Sequence, residues 1–544
     1  MHDTTLPPAE RSSAAQTLAG MISSFAIAMA FRGFVFETFV IPTGSMAPTL
    51  MGQHARLASP ITGYSYPFDT MPAYDPAFAQ RPWGVADPMV SVDTAVASVS
   101  TAAVLQRSRP GDRILVLKYL FPLYEPERWD VVVFRNPSDP AGEAVNYIKR
   151  LVGLPNEQVL LLDGDVFTAP LGADRSQFAI AHKPEHVQRA IWQHVYDSDY
   201  EPIDVAEVSK RLNRPWPGPP FEATGFDLGK SDNRRIWTKD GDGPATLEWR
   251  SERLPITDWG SYNLLRQGMP VPRYAVSDVR FAASIDADSP ASLAAEYTLS
   301  TRGRAMRFAL GDGKATLRIE AQPAAAGEPA KVLGEASVPF TPPAAGRPFA
   351  IECWHVDQRL SLWVNGVELV RLDDAFASLE DRQRASFPTT PLEQYVANPM
   401  TAQPMAPQLS FATKGSPLRL SRVRVDRDLY YRPAMLDTDP VAQPPQNGPA
   451  ITGPAFGVDF RNPAQIKDGQ FMMCGDNSAF SRDSRLLGRP SPLVGELTGS
   501  ADPFVVPREL LTGKAWCVFF PATVAPSDSM PAVMPDFGNL RFIR

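Results

Sequence analysis

The sequence predicts a mainly β protein: a β body split by an insertion, a β-sandwich of jelly-roll type inside that insertion, and an apolar helix near the N-terminal end. Three observations underlie this. Short β-branched or apolar runs lie toward both ends of the chain, at 113–120, 130–134, 145–154 and 514–520, with little helical periodicity around them. The long middle region carries its own series of strand-like runs with turn signals between them. The 55 prolines, about twice ordinary usage, favour loops and linkers and argue against a helical bundle.

Taken in order, residues 1–12 form a polar tail. Residues 13–33 follow as an expected membrane anchor, because Ala14 to Phe31 carries no charge and spans roughly the 18 residues that a bilayer requires as a minimum. A cleaved signal peptide and a helix lying in the interface are the other readings. The apolar character continues past Arg32 to Pro42 without a small-x-small exit, which favours the anchor. Residues 34–160 are the first part of the β body. Within them, 52–110 is rich in Ala, Pro, Ser and Asp and reads as a smaller, mostly irregular insertion. The run EQVLLLDGDVF (157–167) has a DG pair between apolar arms, a hairpin signal.

Residues 161–214 read as a connecting segment, with a short helix in HVQRAIWQHVY (186–196). The sandwich is expected over 215–432. Its clearest unit is RLSLWV, then Asn365-Gly366, then VELVRL, an alternating hairpin around a type I′ turn. Residues 433–464, rich in Pro, Gln and Gly, read as a linker. Residues 465–544 return to strands and supply the second part of the body.

Net charge is −7 and no basic patch stands out, so nucleic-acid binding has no electrostatic support. The three cysteines, Cys353, Cys474 and Cys517, lie far apart with no Cys/His cluster. No metal site, cofactor or disulfide framework is expected.

Three segments carry candidate chemistry. In IPTGSMAPTL (41–50), Pro42, Gly44 and Pro48 hold a turn-rich course that can expose the Ser45 hydroxyl beside free backbone N–H groups, as a nucleophile and oxyanion hole require. In NYIKRLVGLPNEQV (146–159), strand alternation puts Tyr147 and Lys149 on one face and Ile148 and Arg150 on the other. A lysine there is ordinarily at the surface; as a base it must be desolvated, because burial lowers its pKa toward neutrality. In MMCGDNSAFSRDSRLLGRP (472–490), Gly475, Asp476 and Asn477 make a turn, and Ser481, Asp483, Ser484 and Arg485 crowd polar groups behind it.

In order and wording, these segments resemble the type I signal peptidase family. That family has a serine box near SMxPTL, an RGD-type strand, a lysine box near YIKRxxGxPGD and a GDNxxxSxDSR box. This sequence reads SMAPTL, ERWDVVVF, YIKRLVGLPNE and GDNSAFSRDSR, with Gly111, Asp112, Val116 and Lys118 on an early strand and Gly513, Lys514 and Ala515 on a late one. The resemblance covers roughly 14–52, 110–168 and 468–521. It implies a membrane-bound serine endopeptidase with Ser45 as nucleophile and Lys149 as general base, removing signal peptides from preproteins after small-x-small sequences. Thr43 and the Ser45 N–H would form the oxyanion hole. Ser481 would hydrogen-bond the lysine, and Asp483, Arg485 and Arg150 would form a bracing ion-pair network, with Asp476 fixing the turn. Met46, Leu50, Tyr147 and Ile148 would line the first substrate pocket; Phe39, Ile41 and Ile148 would shape the second.

The implied location is the outer, periplasmic face of the bacterial cytoplasmic (inner) membrane, held by a single pass. The implied partners are preproteins, the lipid bilayer and the secretion translocon. Three positions depart from the family pattern: Trp129 replaces the glycine of RGD, Asn156 takes the turn position of the lysine box, and Ser478 stands where an arginine often follows GDN. The sandwich resembles the laminin-G/concanavalin group at fold level, and its ligand is unassigned. The competing reading is an inactive membrane-anchored protein whose sandwich recognises carbohydrate or protein; the intact Ser45–Lys149 pair argues against it. A self-cleaving repressor type lacks the apolar anchor and the GDN box.

Overall fold

The apolar N-terminal run folds as helix α1, Ala14–Ala30, whose residues are all exposed. A π-turn, Phe31–Val35, leads from it into the first strand. Among the described residues no helix is long and apolar enough to cross a membrane, so the expected transmembrane, single-pass anchor over 13–33 finds no support in the fold. The computed structural model describes residues 14–75, 82–90, 95–139, 145–202, 204–229, 233–266, 272–323, 329–439, 447–524 and 534–544; the expected tail at 1–12 lies outside them.

The protein is mainly β. The body strands are β1 (Phe36–Val40), β2 (Arg113–Leu117), β3 (Val131–Arg135), β4 (Asn146–Gly153), β5 (Gln470–Cys474), β6 (Val506–Pro507), β7 (Leu511–Phe520) and β8 (Arg541–Phe542). They form an antiparallel sheet in the order β1-β2-β7-β3-β4-β5-β6, with β8 on β7. The two halves of the body interleave: β7 inserts between β2 and β3, and β4 pairs with β5, Arg150 opposite Cys474. Beside this sheet stands the hairpin Glu157–Leu162 and Asp165–Pro170, extended by Ala464–Ile466. Asp163 and Gly164 at its turn have φ of 50° and 86°, as the DG signal requires.

The inserted sandwich consists of two seven-stranded antiparallel sheets. One core lies between them, with Phe281, Tyr297 and Phe411 stacked near its centre. The NG hairpin forms as expected, with Asn365 and Gly366 at φ 50° and 79° between Arg359–Val364 and Val367–Asp373. The short helix ends at Ile191. The next residues, Gln193–Asp197, pair with Leu418–Arg427, so the sandwich draws a strand from the stretch expected only to connect.

Residues 52–110 are more ordered than their composition suggests. Two hairpins, His54–Ala58 with Ser65–Asp69 and Trp83–Ala86 with Ala95–Val99, stand beside a short helix, Thr101–Gln106. Tyr66, Phe68 and Val104 form a small core that also takes in Leu264 of the large insertion. The described part of the expected linker is not a free tether: Ala455 and Val458 pack with Val152, Val159 and Met472 of the body. All three cysteines are free thiols.

Candidate active site

Ser45 sits in a single 3₁₀ turn, Gly44–Met46, directly after β1. The turn is tightly seated. A Cβ on Gly111 would lie 1.8 Å from the Ile41 carbonyl oxygen, and one on Gly52 would lie 2.2 Å from the Thr43 carbonyl carbon. Neither position therefore admits a side chain without moving the Ser45 segment. The Asn477 N–H donates to the Ser45 carbonyl at 3.0 Å, and Asn477 Nδ2 donates to the Gly44 carbonyl at 3.0 Å.

Lys149 lies in the middle of β4, between strands on both sides, and is only 3% exposed. Its Nζ donates to Ser45 Oγ at 2.7 Å and to the Ile148 carbonyl at 2.9 Å. The Tyr147 ring centroid is 5.2 Å from Nζ on the same strand face. Burial pulls the Lys149 pKa down to about 8, against the opposing pull of Asp483 and Asp476. A buried amine whose neutral form is brought within reach in this way, held at a serine hydroxyl, can accept that hydroxyl's proton.

Two buried ion pairs frame this contact. Arg150 grips Asp476 with both fork arms, Nε to Oδ1 at 2.9 Å and Nη2 to Oδ2 at 2.6 Å, and both side chains are wholly buried. Arg150 Nη1 donates to the Trp129 carbonyl, and Thr49 Oγ1 donates to Asp476 Oδ2 from the nucleophile side. Asp483 receives Arg485 Nε at 2.9 Å and Nη2 at 2.8 Å, and the Gly475 N–H at 2.9 Å. Burial pushes the Asp483 carboxyl up, but the Arg485 guanidinium and the Gly475 N–H outweigh it and hold the group below the usual carboxylate range.

Not every expected contact forms. Ser481 Oγ makes no hydrogen bond to Lys149: it is buried and points toward Gly475, whose added Cβ would lie 2.1 Å from it. Thr43 is exposed beside Ser45, and its hydroxyl does not cap the 3₁₀ turn. Ile41, Met46, Leu50 and Ile148 share one apolar cluster with Phe39 packed on its edge, while Tyr147 belongs to a neighbouring cluster with Phe134 and Leu151. Met46 and Leu50 are 0% exposed and serve as core, and Ile148 is buried as well; Phe39 and Tyr147 are half-buried and have surface to offer a ligand.

Two of the departures have local explanations. Asn156 adopts φ 64°, the left-handed conformation the turn position asks for. Trp129 also adopts a positive φ, 78°, where the family's glycine would be at ease. Its ring compensates: Nε1 donates to the His182 carbonyl at 3.1 Å, and Lys183 Nζ lies 5.2 Å from the ring centroid. Sequence reasoning missed Thr49, Tyr262 and Asn263, and read Asn477 only as part of a turn, not as a partner of the Ser45 segment. Nothing local marks Tyr262 or Asn263. One carboxylate triad, Asp165, Asp278 and Asp357, converges within 4.8 Å among the described residues. Arg302, Arg382 and Lys183 already neutralise it, so it offers a cation little net charge.

The site thus places a buried lysine amine on a serine hydroxyl, on a mainly β body. Residues 84–185 match the family model described as signal peptidase, peptidase S26, a span that includes Lys149 and begins after Ser45. Curated relatives include the signal peptidase I of Rickettsia typhi (strain ATCC VR-144 / Wilmington), 28% identical over 162 residues, covering 30% of this chain and 46% of the relative. That of Rickettsia prowazekii (strain Madrid E) is 28% identical over 151 residues, covering 28% and 42%. The chain thus spans less than half the length of these relatives. Over that part of its length it is similar to the type I signal peptidases. Among solved structures, the carbohydrate binding module CBM66 from Bacillus subtilis aligns at 10% identity with a TM-score of 0.20, over 38% of this chain and 97% of that one. Galectin LEC-6 from Caenorhabditis elegans aligns at 11% with a TM-score of 0.19, over 35% and 96%. At those scores neither likeness bears on the fold or function of this chain.

Proposed function

We propose that this protein is a membrane-associated serine endopeptidase that removes signal peptides from exported preproteins, with Ser45 as nucleophile and Lys149 as general base. The observation that carries the reading is the 2.7 Å contact between Lys149 Nζ and Ser45 Oγ, made by a lysine whose burial brings its pKa to about 8. With the amine neutral, the Ser45 hydroxyl donates in that contact. Nζ takes the proton as Oγ attacks the scissile carbonyl carbon. The oxyanion is received by the Ser45 N–H and the Thr43 hydroxyl, whose exposure leaves it free to rotate toward substrate. The ammonium then returns its proton to the leaving amine, and the acyl-enzyme is hydrolysed by a water that Lys149 deprotonates in turn. Arg150 and Asp476 hold β4 against the loop that receives the Ser45 turn, and Asp483 with Arg485 braces that loop from within; Ser481 shapes the space beside Gly475.

Specificity for small residues before the cut follows from pockets with shallow apolar walls. Phe39 and Tyr147 would offer surface to those walls, with Ile41, Met46, Leu50 and Ile148 packed behind. Exposed apolar side chains on α1, including Leu18, Ile22 and Phe25, with Phe36 and Val40 on β1, form a surface suited to lipid. It would hold the body on the outer face of the cytoplasmic membrane, where preproteins leave the translocon.

The test is cleavage of a preprotein by detergent-solubilised full-length protein, with Ser45→Ala and Lys149→Ala beside it. Loss of specific cleavage in both variants supports the reading; a wild type no better than either sinks it.

A further inference from the structure

The large insertion does not stand apart from the nucleophile. Its 3₁₀ segment Ser261–Arg266 presses Tyr262 and Asn263 directly onto the turn that carries Ser45. The Tyr262 ring covers Gly44 so closely that a Cβ there would lie 2.0 Å from Cε1. The Tyr262 hydroxyl donates to the Gln53 carbonyl at 3.1 Å, next to Gly52, which itself abuts Thr43. Asn263 and Asn477 exchange two amide hydrogen bonds, each 2.9 Å, and both side chains are buried. Asn477 Nδ2 spends its other hydrogen on the Gly44 carbonyl, while its backbone N–H holds the Ser45 carbonyl. Asn263 thereby fixes which way round the Asn477 amide sits: a flipped amide would set N–H against N–H and carbonyl against carbonyl.

We propose that Tyr262 and Asn263 are positioning residues of the peptidase, through which the insertion sets the place of the Ser45 turn. The proposal rests on the Ser45–Lys149 reading above. The Lys149 amine spends its hydrogen bonds on Ser45 Oγ and the Ile148 carbonyl, not on this segment. The segment acts on the two carbonyls that flank the Ser45 amide, one of the expected oxyanion donors. A shift of the turn of about 1 Å is enough to cost on the order of a hundredfold in rate, because reacting groups must be within near-attack distance. Leu264, the next residue, sits in the small core of 52–110. The same short segment therefore ties three parts of the molecule at the nucleophile.

The experiment uses full-length protein in detergent and a preprotein substrate, reading kcat and KM separately for Tyr262→Ala, Tyr262→Phe, Asn263→Leu and Ser45→Ala. Tyr262→Ala and Asn263→Leu are expected to lower kcat about tenfold to a hundredfold with KM within twofold, and Tyr262→Phe, which keeps the ring on Gly44, to recover most of the loss. A second arm guards against simple misfolding. Gly44→Ala drives a methyl into the Tyr262 ring and is expected to be nearly inactive; combining it with Tyr262→Ala makes room and should raise kcat above that of Gly44→Ala alone. The proposal is overturned if Asn263→Leu and Tyr262→Ala keep wild-type kcat, if they raise KM with kcat intact, or if the double variant is no better than Gly44→Ala. Activity surviving in Ser45→Ala would instead overturn the dyad reading beneath it.

Discussion

Lys149 is placed where its chemistry and its cost can be measured apart. Burial lowers its pKa from 10.5 to about 8. At 1.36 kcal/mol per pKa unit this is about 3 kcal/mol by which the charged form is disfavoured in the fold relative to the unfolded chain. The sign is definite. Between about pH 8 and 10.5 the unfolded chain holds the proton and the folded one does not, so this group's contribution makes stability rise with pH across that window and level off outside it. Replacing Lys149 with Met, which has similar length and no charge, removes both the slope and the cost. Lys149→Met should be inactive yet more stable than wild type at pH 7, by about 2–3 kcal/mol after allowance for the lost Ser45 and Ile148 contacts.

The assay is denaturant unfolding of wild type and Lys149→Met at pH 7 and pH 10. The difference between the proteins is the quantity of interest, because groups that titrate independently of Lys149 cancel in it. The gap at pH 7 should close largely by pH 10. In parallel, wild-type kcat/KM should fall along an acid limb centred near pH 8, since a protonated amine cannot take the Ser45 proton. An acid limb centred below pH 6, or a Lys149→Met protein less stable than wild type at pH 7, would refute the desolvated-base reasoning.

Three further outcomes are expected. Arg150→Met strands Asp476 in the interior without a counter-ion, and should cost about 3–5 kcal/mol in unfolding experiments together with most of the activity, as Thr49 and Asn477 lose their anchor. At Trp129, Ala loses the ring and keeps the strained positive φ, whereas Gly loses the ring and relieves the strain. Both should fall below wild type in thermal unfolding, but Gly should exceed Ala by about 1 kcal/mol; an equal or inverted order would show that the left-handed backbone carries no strain. Ile148→Ala should deepen the first pocket and admit residues larger than alanine before the cut, read as new fragments by mass spectrometry of a substrate panel, at a stability cost of about 2–4 kcal/mol.

Local signals in the sequence were legible wherever the physics is local. The DG and NG pairs mark turns because two consecutive positive φ values need residues that tolerate them, and Asp163-Gly164 and Asn365-Gly366 supply them. Asn156 was readable as a left-handed residue for the same reason. The contact between Ser45 and Lys149 was legible only through the company of the boxes, since nothing in the run YIKR says that a fifth strand, 320 residues away, will cover it. Residues 52–110 escaped because their strands are four or five residues long, too short for alternation to rise above composition. The helix at the N-terminal end was legible in type but not in extent. An uncharged run does not show where α-helical hydrogen bonding gives way to a π-turn, and here that happens at Phe31.

The departures from the family boxes acquire a common cause once the insertion is in view. Trp129, in the place of a glycine, spends its indole N–H on the His182 carbonyl and its ring on Lys183, both in the stretch leading into the sandwich. Its carbonyl meanwhile receives Arg150, so one residue joins the insertion to the buried pair behind the active site. Ser478, in the place of an arginine, accepts the Arg432 N–H at 2.9 Å where the chain returns from the sandwich, and also receives Arg485. A longer side chain at 478 would have to displace that returning backbone. The entry and exit of the insertion are thus each fastened at a position where the box wording changes, and each fastening reaches one of the two ion pairs that frame Lys149. A sandwich serving only as a tethered binding module would need neither contact, and a flexible linker at each end would suffice for it. Ser478→Arg in the full-length chain should therefore lower activity through loosened packing around Arg485 and Asp483, even though it moves the sequence toward the family wording.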